Sequence, residues 1–148
     1  MNTRTRIRDA VAEKNLETIE EIVKKEPRAV RYLMGLMYEL DDSVRKIAAE
    51  GIALSSKHHP KLAKNVINRL IWAMNNDAGA NSPFAPEVLK AIAGVKPELL
   101  LPVVSDIVRC STDSSLQQGL YDTLRIVKEK CPGEIGKILG AELKKQGF

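Results

Sequence analysis

The chain has 148 residues, 44% hydrophobic, 28% charged and only 4% aromatic, with a formal charge of +4, which suits one globular domain with a real core and excludes a disordered one. Basic residues exceed acidic ones by 11 to 10 in residues 1–60 and by 12 to 9 in 61–148, so no segment carries the concentrated positive charge of a dedicated nucleic-acid binder. No apolar run approaches the roughly 20 residues of a membrane span, MNTRTRIRDA lacks the apolar stretch of a signal peptide, and two cysteines make no disulfide framework; a reduced, cytoplasmic protein is expected.

In chain order, the first predicted helix runs over residues 4–13 with Ile7 and Val11 inward. A second covers 16–25, with Leu16, Ile19, Ile22 and Val23 on one face. Its early Glu17, Glu20 and Glu21 and late Lys24 and Lys25 complement the helix dipole. From Pro27 to Leu54 the pattern is two amphipathic helices around an acidic turn. Val30, Leu33, Met34, Met37 and Leu40 form the first stripe, and Val44, Ile47, Ala48, Gly51 and Leu54 the second. Asp41, Asp42 and Ser43 supply turn and cap oxygens between them.

The next helix begins at Pro60, with Leu62, Val66, Ile67, Leu70, Ile71 and Met74 inward and Trp72 on its flank. NNDAGANSPFAPE, residues 75–87, forbids a continuous helix through its prolines, glycine and asparagines. Pro86 restarts one, with Val88, Leu89, Ile92 and Ala93 packing, and it ends near Val95. A further helix is announced by Pro97, with Leu100, Val103, Val104, Ile107 and Val108 inward, and Pro102 predicts a kink or a late start. After a turn over residues 111–114, Leu116, Leu120, Leu124 and Val127 mark another helix. Ile135, Ile138, Leu139 and Leu143 mark a closing one.

Two markers recur in step. Pro27, Pro60, Pro97 and Pro132 are 33, 37 and 35 residues apart, and Asp41, Asp77 and Asp113 are 36 apart. Proline suits a first helical position, where its missing N–H would be unpaired anyway. Spacings of this size are those of helix-pair repeats. The predicted fold is therefore all-α, a short right-handed α-α superhelix of about four helix pairs, approximately residues 3–26, 27–59, 60–96 and 97–131, with a capping helix at 132–146.

DDSVRKIAAEGIAL, residues 41–54, resembles the second-helix signature of HEAT-like repeats, in which an Asp near the turn precedes a Val-Arg pair and spaced small residues. Asp41 or Asp42, Val44, Arg45, Ala48 and Ala49 match, and Pro102 resembles the proline that bends the family's first helices. Lys90 and Gln117 stand near the places where the family's Arg is expected, which breaks a continuous Asp–Arg ladder. The resemblance covers about residues 27–131 and implies an armadillo-like α-solenoid. Trp72 with residues 74–87 is also similar to a segment of uncharacterised prokaryotic HEAT-repeat proteins. Asn75, Asp77, Gly79, Ala85, Pro86 and Glu87 fit it, while Ala80, Pro83 and Phe84 depart from it.

Catalytic signatures are lacking. His58 and His59 are the only histidines; adjacent and next to a helix end, they suit capping better than a metal site, which needs three or four ligands. Neither Cys110 nor Cys131 has a histidine near in sequence, although Lys130 beside Cys131 is placed to lower its pKa. No P-loop, dinucleotide fingerprint or nucleophile elbow occurs, and no cofactor, metal or catalytic residue is assigned. The irregular loop is the candidate partner-binding region, through Trp72, Asn75, Asp77, Phe84 and Glu87. Arg4, Arg8, Arg28 and Arg31 form a candidate basic strip. The expected function is a non-catalytic protein-interaction or scaffold module using a concave surface. The alternatives are a nucleic-acid-binding helical-repeat protein, suggested by the arginines and a pI near 9.1, and an enzyme or enzyme accessory subunit with a site around Asp77 and Glu87.

Overall fold

A computed structural model describes residues 2–75 and 84–145, with side chains up to residue 140. The described residues form nine α-helices and no strand: α1 (Thr3–Ala12), α2 (Leu16–Lys25), α3 (Val30–Leu36), α4 (Asp42–His58), α5 (Pro60–Asn75), α6 (Ala85–Val95), α7 (Val104–Cys110), α8 (Gln117–Lys130) and α9 (Pro132–Lys145). Three-residue-per-turn segments, Pro27–Ala29 and Pro97–Val103, lead into α3 and α7.

Local chemistry sets the boundaries. Asn2 caps α1 by accepting the Thr5 amide at 2.8 Å. The helix closes on Lys14, which sits at φ 55°. The Lys14 amide donates to Val11 O (3.0 Å) and the Asn15 amide to Ala10 O (2.9 Å), the paired bonds of a Schellman ending. Asn15 then caps α2 through the Thr18 amide at 3.1 Å. Two residues thus end one helix and begin the next, and the two helices pack on each other. At the other end of α2, His59 donates from Nε2 to the carbonyls of Val23 (2.9 Å) and Lys24 (3.1 Å). The C-terminal boundary of α4 is thereby tied to that of α2.

The turns before α4 and α8 repeat one device. Asp41 accepts both the amide and the hydroxyl of Ser43, at 2.9 and 2.7 Å; Asp113 accepts the same groups of Ser115 at the same two distances. Arg45 reaches back to Glu39 O at 2.6 Å, and Gln117 reaches back to Ser111 O at 3.2 Å. Gln117 therefore makes the backbone contact that Arg45 makes, without its charge. Asp77, the middle marker, lies outside the described residues.

The chain departs from the expected pattern at one helix. A helix over Pro27–Leu40 would bury Leu40, yet α3 ends at Leu36 and Leu40 is 95% exposed. The amides of Met37, Tyr38 and Glu39 bond three residues back instead of four. This tightens the chain and carries Leu40 off the inner face before Asp41 caps α4. Val44, Ile47 and Leu54 are half-buried at the margin of the core. Pro102 gives the late start: its segment winds as a 3-10 helix, and α7 begins two residues later.

Packing runs between neighbours in sequence order. Helices α2, α4, α6 and α8 touch one another in succession, and α1, α3, α5 and α7 each touch the partner that follows. The closing helix α9 lies on α7 and α8. One continuous core results, from Ile7, Ile19 and Leu33 through Ile67, Leu89 and Ile92 to Leu120 and Ile135. Small residues allow the close approaches. A Cβ on Gly51 of α4 would stand 2.8 Å from Ile19 Cγ2 of α2, and one on Gly119 of α8 would stand 2.5 Å from Pro86 Cβ of α6.

Candidate functional site

The sequence of second helices leaves a groove of about 520 Å³ between α4 and α6. Its floor is apolar and mostly small: Ala49, Ala53 and Leu54 from α4, and Ala91, Gly94 and Val95 from α6. Leu16 of α2 and Ile126 of α8 extend that apolar surface beyond the two helices. Its charged lining is mixed. Lys46 and Glu50 stand four apart on α4, and Glu87 and Lys90 three apart on α6, so each pair shares a helix face.

One wall is fixed by an arginine. Arg45 is only 12% exposed and lies over the Phe84 ring, 4.4 Å from its centroid. It pairs with Asp42 in its own first turn, and its Nε is 3.8 Å from Glu87 Oε2. Among the described residues that Nε is buried with no hydrogen-bond partner, so the Glu87 carboxylate is the charge that compensates it there. Similar links join the other second helices. Glu20 on α2 takes Lys57 at 2.8 Å and His58 at 3.0 Å from α4. Lys90 on α6 approaches Asp122 on α8 at 3.7 Å, and Lys130 of α8 donates to Gly94 O at 2.7 Å. Hydrogen bonds from Lys57 and then His58 hold the Glu20 carboxyl below its ordinary value of 4.5.

The expected binding residues are dispersed. Phe84 and Glu87 meet at the Arg45 junction, and Glu87 also lines the groove. Asn75 turns its amide back to Ile71 O (3.1 Å), while its oxygen accepts the Cys110 thiol at 3.3 Å. Trp72 is 66% exposed on α5 and lines neither described cavity. Of the basic strip, Arg4, Arg8 and Arg31 share a second cleft of about 240 Å³ between α1 and α3, and Arg28, on the 3-10 turn, lies outside it. Lys46, Glu50 and Lys90 escaped sequence reading because charges at helical spacing usually mark a solvated face. What distinguishes them is the run of Ala and Gly beside them, visible in the sequence but meaningful only once two helices face each other.

The thiols run opposite to the one argument for their reactivity. Burial, then the Asp106 carboxylate, pushes Cys110 above its ordinary value of 9.0; burial, then Glu134 and Glu98, does the same to Cys131. Lys130 does not turn that direction; its amine donates to the Gly94 carbonyl instead. Among the described residues no group of three or more His, Cys, Asp or Glu is placed to hold a metal ion, and no helix is long and apolar enough to cross a membrane. The class that the fold defines is an all-α helical protein. The chain matches no protein-family model, no curated protein and no solved structure.

Proposed function

We propose that the chain is a short α-solenoid of HEAT-like helix pairs and acts as a non-catalytic scaffold, holding one amphipathic helix of a partner protein in the α4–α6 groove. The solenoid reading is supported by the sequential packing of second helices and by the device shared by Asp41–Ser43–Arg45 and Asp113–Ser115–Gln117. The observation that carries the binding reading is the groove itself, a small-residue apolar floor with charges of both signs alongside.

Helices pack at interaxial distances of about 8–10 Å when small side chains leave room between ridges. Ala91 and Gly94, over the buried Ala49 and Ala53, offer that room to a third helix. Its apolar stripe would cover them, and its flanking charges would meet Lys46, Glu50, Glu87 and Lys90. The raised thiol pKa values favour the non-catalytic reading.

The test uses Gly94, where an added Cβ meets nothing within 4 Å. Gly94→Trp fills the groove without invading the core. Capture from native lysate by wild type and by Gly94→Trp, with melting curves of both, decides the matter. A protein retained by the first and lost by the second, at equal stability, supports the reading. Identical captures, or nucleic acid alone, contradict it. The nucleic-acid reading is favoured by the convergence of Arg4, Arg8 and Arg31. It predicts duplex affinity falling steeply with salt, and binding weaker than micromolar at low salt removes it.

A further inference from the structure

The cleft between α1 and α3 holds an unbalanced set of charges. Arg4 and Arg8 lie one turn apart on α1, and Arg31 comes from α3. Arg6, between the first two, turns to Glu26 at 3.6 Å, but none of the three cleft arginines is ion-paired within the described residues. Glu39 is the one carboxylate on the wall, which leaves a net charge of +2. The remaining lining is Ile7, Tyr32, Gly35 and Leu36, and the space above Gly35 is open, since an added Cβ meets nothing within 4 Å.

The three arginines are exposed, so their mutual repulsion is screened by solvent, and their shared positive field draws an anion to the cleft. Guanidinium groups match phosphate oxygens bidentately, and a phosphate monoester carries about −1.5 to −2 charge at neutral pH. That charge neutralises the cleft. The volume of 240 Å³ equals about eight waters in the liquid, enough for a short phosphorylated molecule. Glu39 works against an extended polyanion, whose next phosphate it would repel, and suits a ligand that offers it a hydroxyl donor. We infer that this cleft is a binding site for a small hydroxyl-bearing phosphate monoester, with Arg4, Arg8 and Arg31 on the phosphate and Glu39 on a hydroxyl.

The test is a titration of the full chain, followed by the arginine Nε–H and Tyr32 ring resonances, with glycerol 2-phosphate, ethyl phosphate and dimethyl phosphate. Glycerol 2-phosphate should bind most tightly and the singly charged diester most weakly. Arg8→Gln should weaken glycerol 2-phosphate about tenfold, the usual scale for loss of a charge-assisted hydrogen bond. Gly35→Leu, which fills the cleft and leaves every charge in place, should abolish binding. Glu39→Gln should erase the preference for glycerol 2-phosphate over ethyl phosphate while sparing the latter. The inference is overturned if Arg8→Gln and Gly35→Leu titrate like the wild type, if the diester binds as well as the monoesters, or if a DNA duplex binds more tightly and is indifferent to Gly35→Leu. The three substituted positions, Arg8, Gly35 and Glu39, are exposed, and unchanged helical content by circular dichroism verifies that each variant is folded.

Discussion

Lys14 is the one described non-glycine residue at positive φ, and it ends α1 in a position that glycine normally fills. An L-residue there carries a steric cost of about 1–2 kcal/mol, partly offset because glycine loses more entropy on folding. Lys14→Gly should therefore stabilise the chain by about 0.5–1 kcal/mol, measured by urea denaturation. The capping carboxylates act in the other direction. Asp41 and Asp113 are held below their ordinary 3.8, each first by the hydroxyl and then by the amide of the serine two residues on, and Glu20 is held below 4.5. A depressed folded-state pKa means that the unfolded chain takes up protons first as pH falls. The stability these groups contribute is complete above about pH 4.5 and is lost as pH drops through 3.8 and below. Asp113→Asn keeps an acceptor in the turn before α8 and should flatten the acid limb of a stability–pH profile. A profile unchanged from wild type would show that the turn bond does not form in solution.

At the scale of elements, two glycines predict opposite signs. Gly119 on α8 lies against Pro86, and a methyl there must push two helices apart. Overpacking of this kind costs about 1–3 kcal/mol, more than the gain of up to about 1 kcal/mol from alanine's helix propensity. Gly119→Ala should lower the melting temperature, whereas Gly94→Ala, facing open space, should leave it equal or raise it. Most elements were legible in the sequence, because α2, α5, α6 and α8 bury residues at strict helical spacing and Asp41 announces α4. The shortness of α3 was not, since Leu40 continues the apolar period and only the three tightened amides before it reveal the break. The groove was less legible still. Neither Ala49 nor Ala91 lies on an expected inner stripe, and their place in the groove depends on residues 42 apart in the chain lying side by side. Of the four arginines in the expected strip, Arg4, Arg8 and Arg31 line one cleft and Arg28 does not, because a 3-10 turn does not continue the face of the α-helix that follows it.

At the scale of the molecule, successive second helices share one interior and the charge links between them run in the same order: Glu20 to Lys57, Arg45 to Glu87, Lys90 to Asp122. The part-exposed Glu20–Lys57 and Lys90–Asp122 pairs contribute only about 0–1 kcal/mol each, and Glu87 offsets the buried charge of Arg45, so these links register one helix against the next, while the continuous apolar core holds the helices together. The same ordering leaves two concavities of different chemistry, an apolar groove with mixed charges on the second helices and an arginine cleft between α1 and α3. A scaffold that holds a partner helix in the first and a phosphorylated small molecule in the second would join two kinds of recognition in one chain. The groove is the central claim, and photo-crosslinking tests it most directly. With a benzophenone side chain placed either at position 46 on the exposed rim of the groove or at position 72 on the exposed face of α5, the account predicts adducts from position 46 to one helical segment of a single partner protein and none from position 72. Adducts from position 72 alone, or equally from both positions, would contradict it.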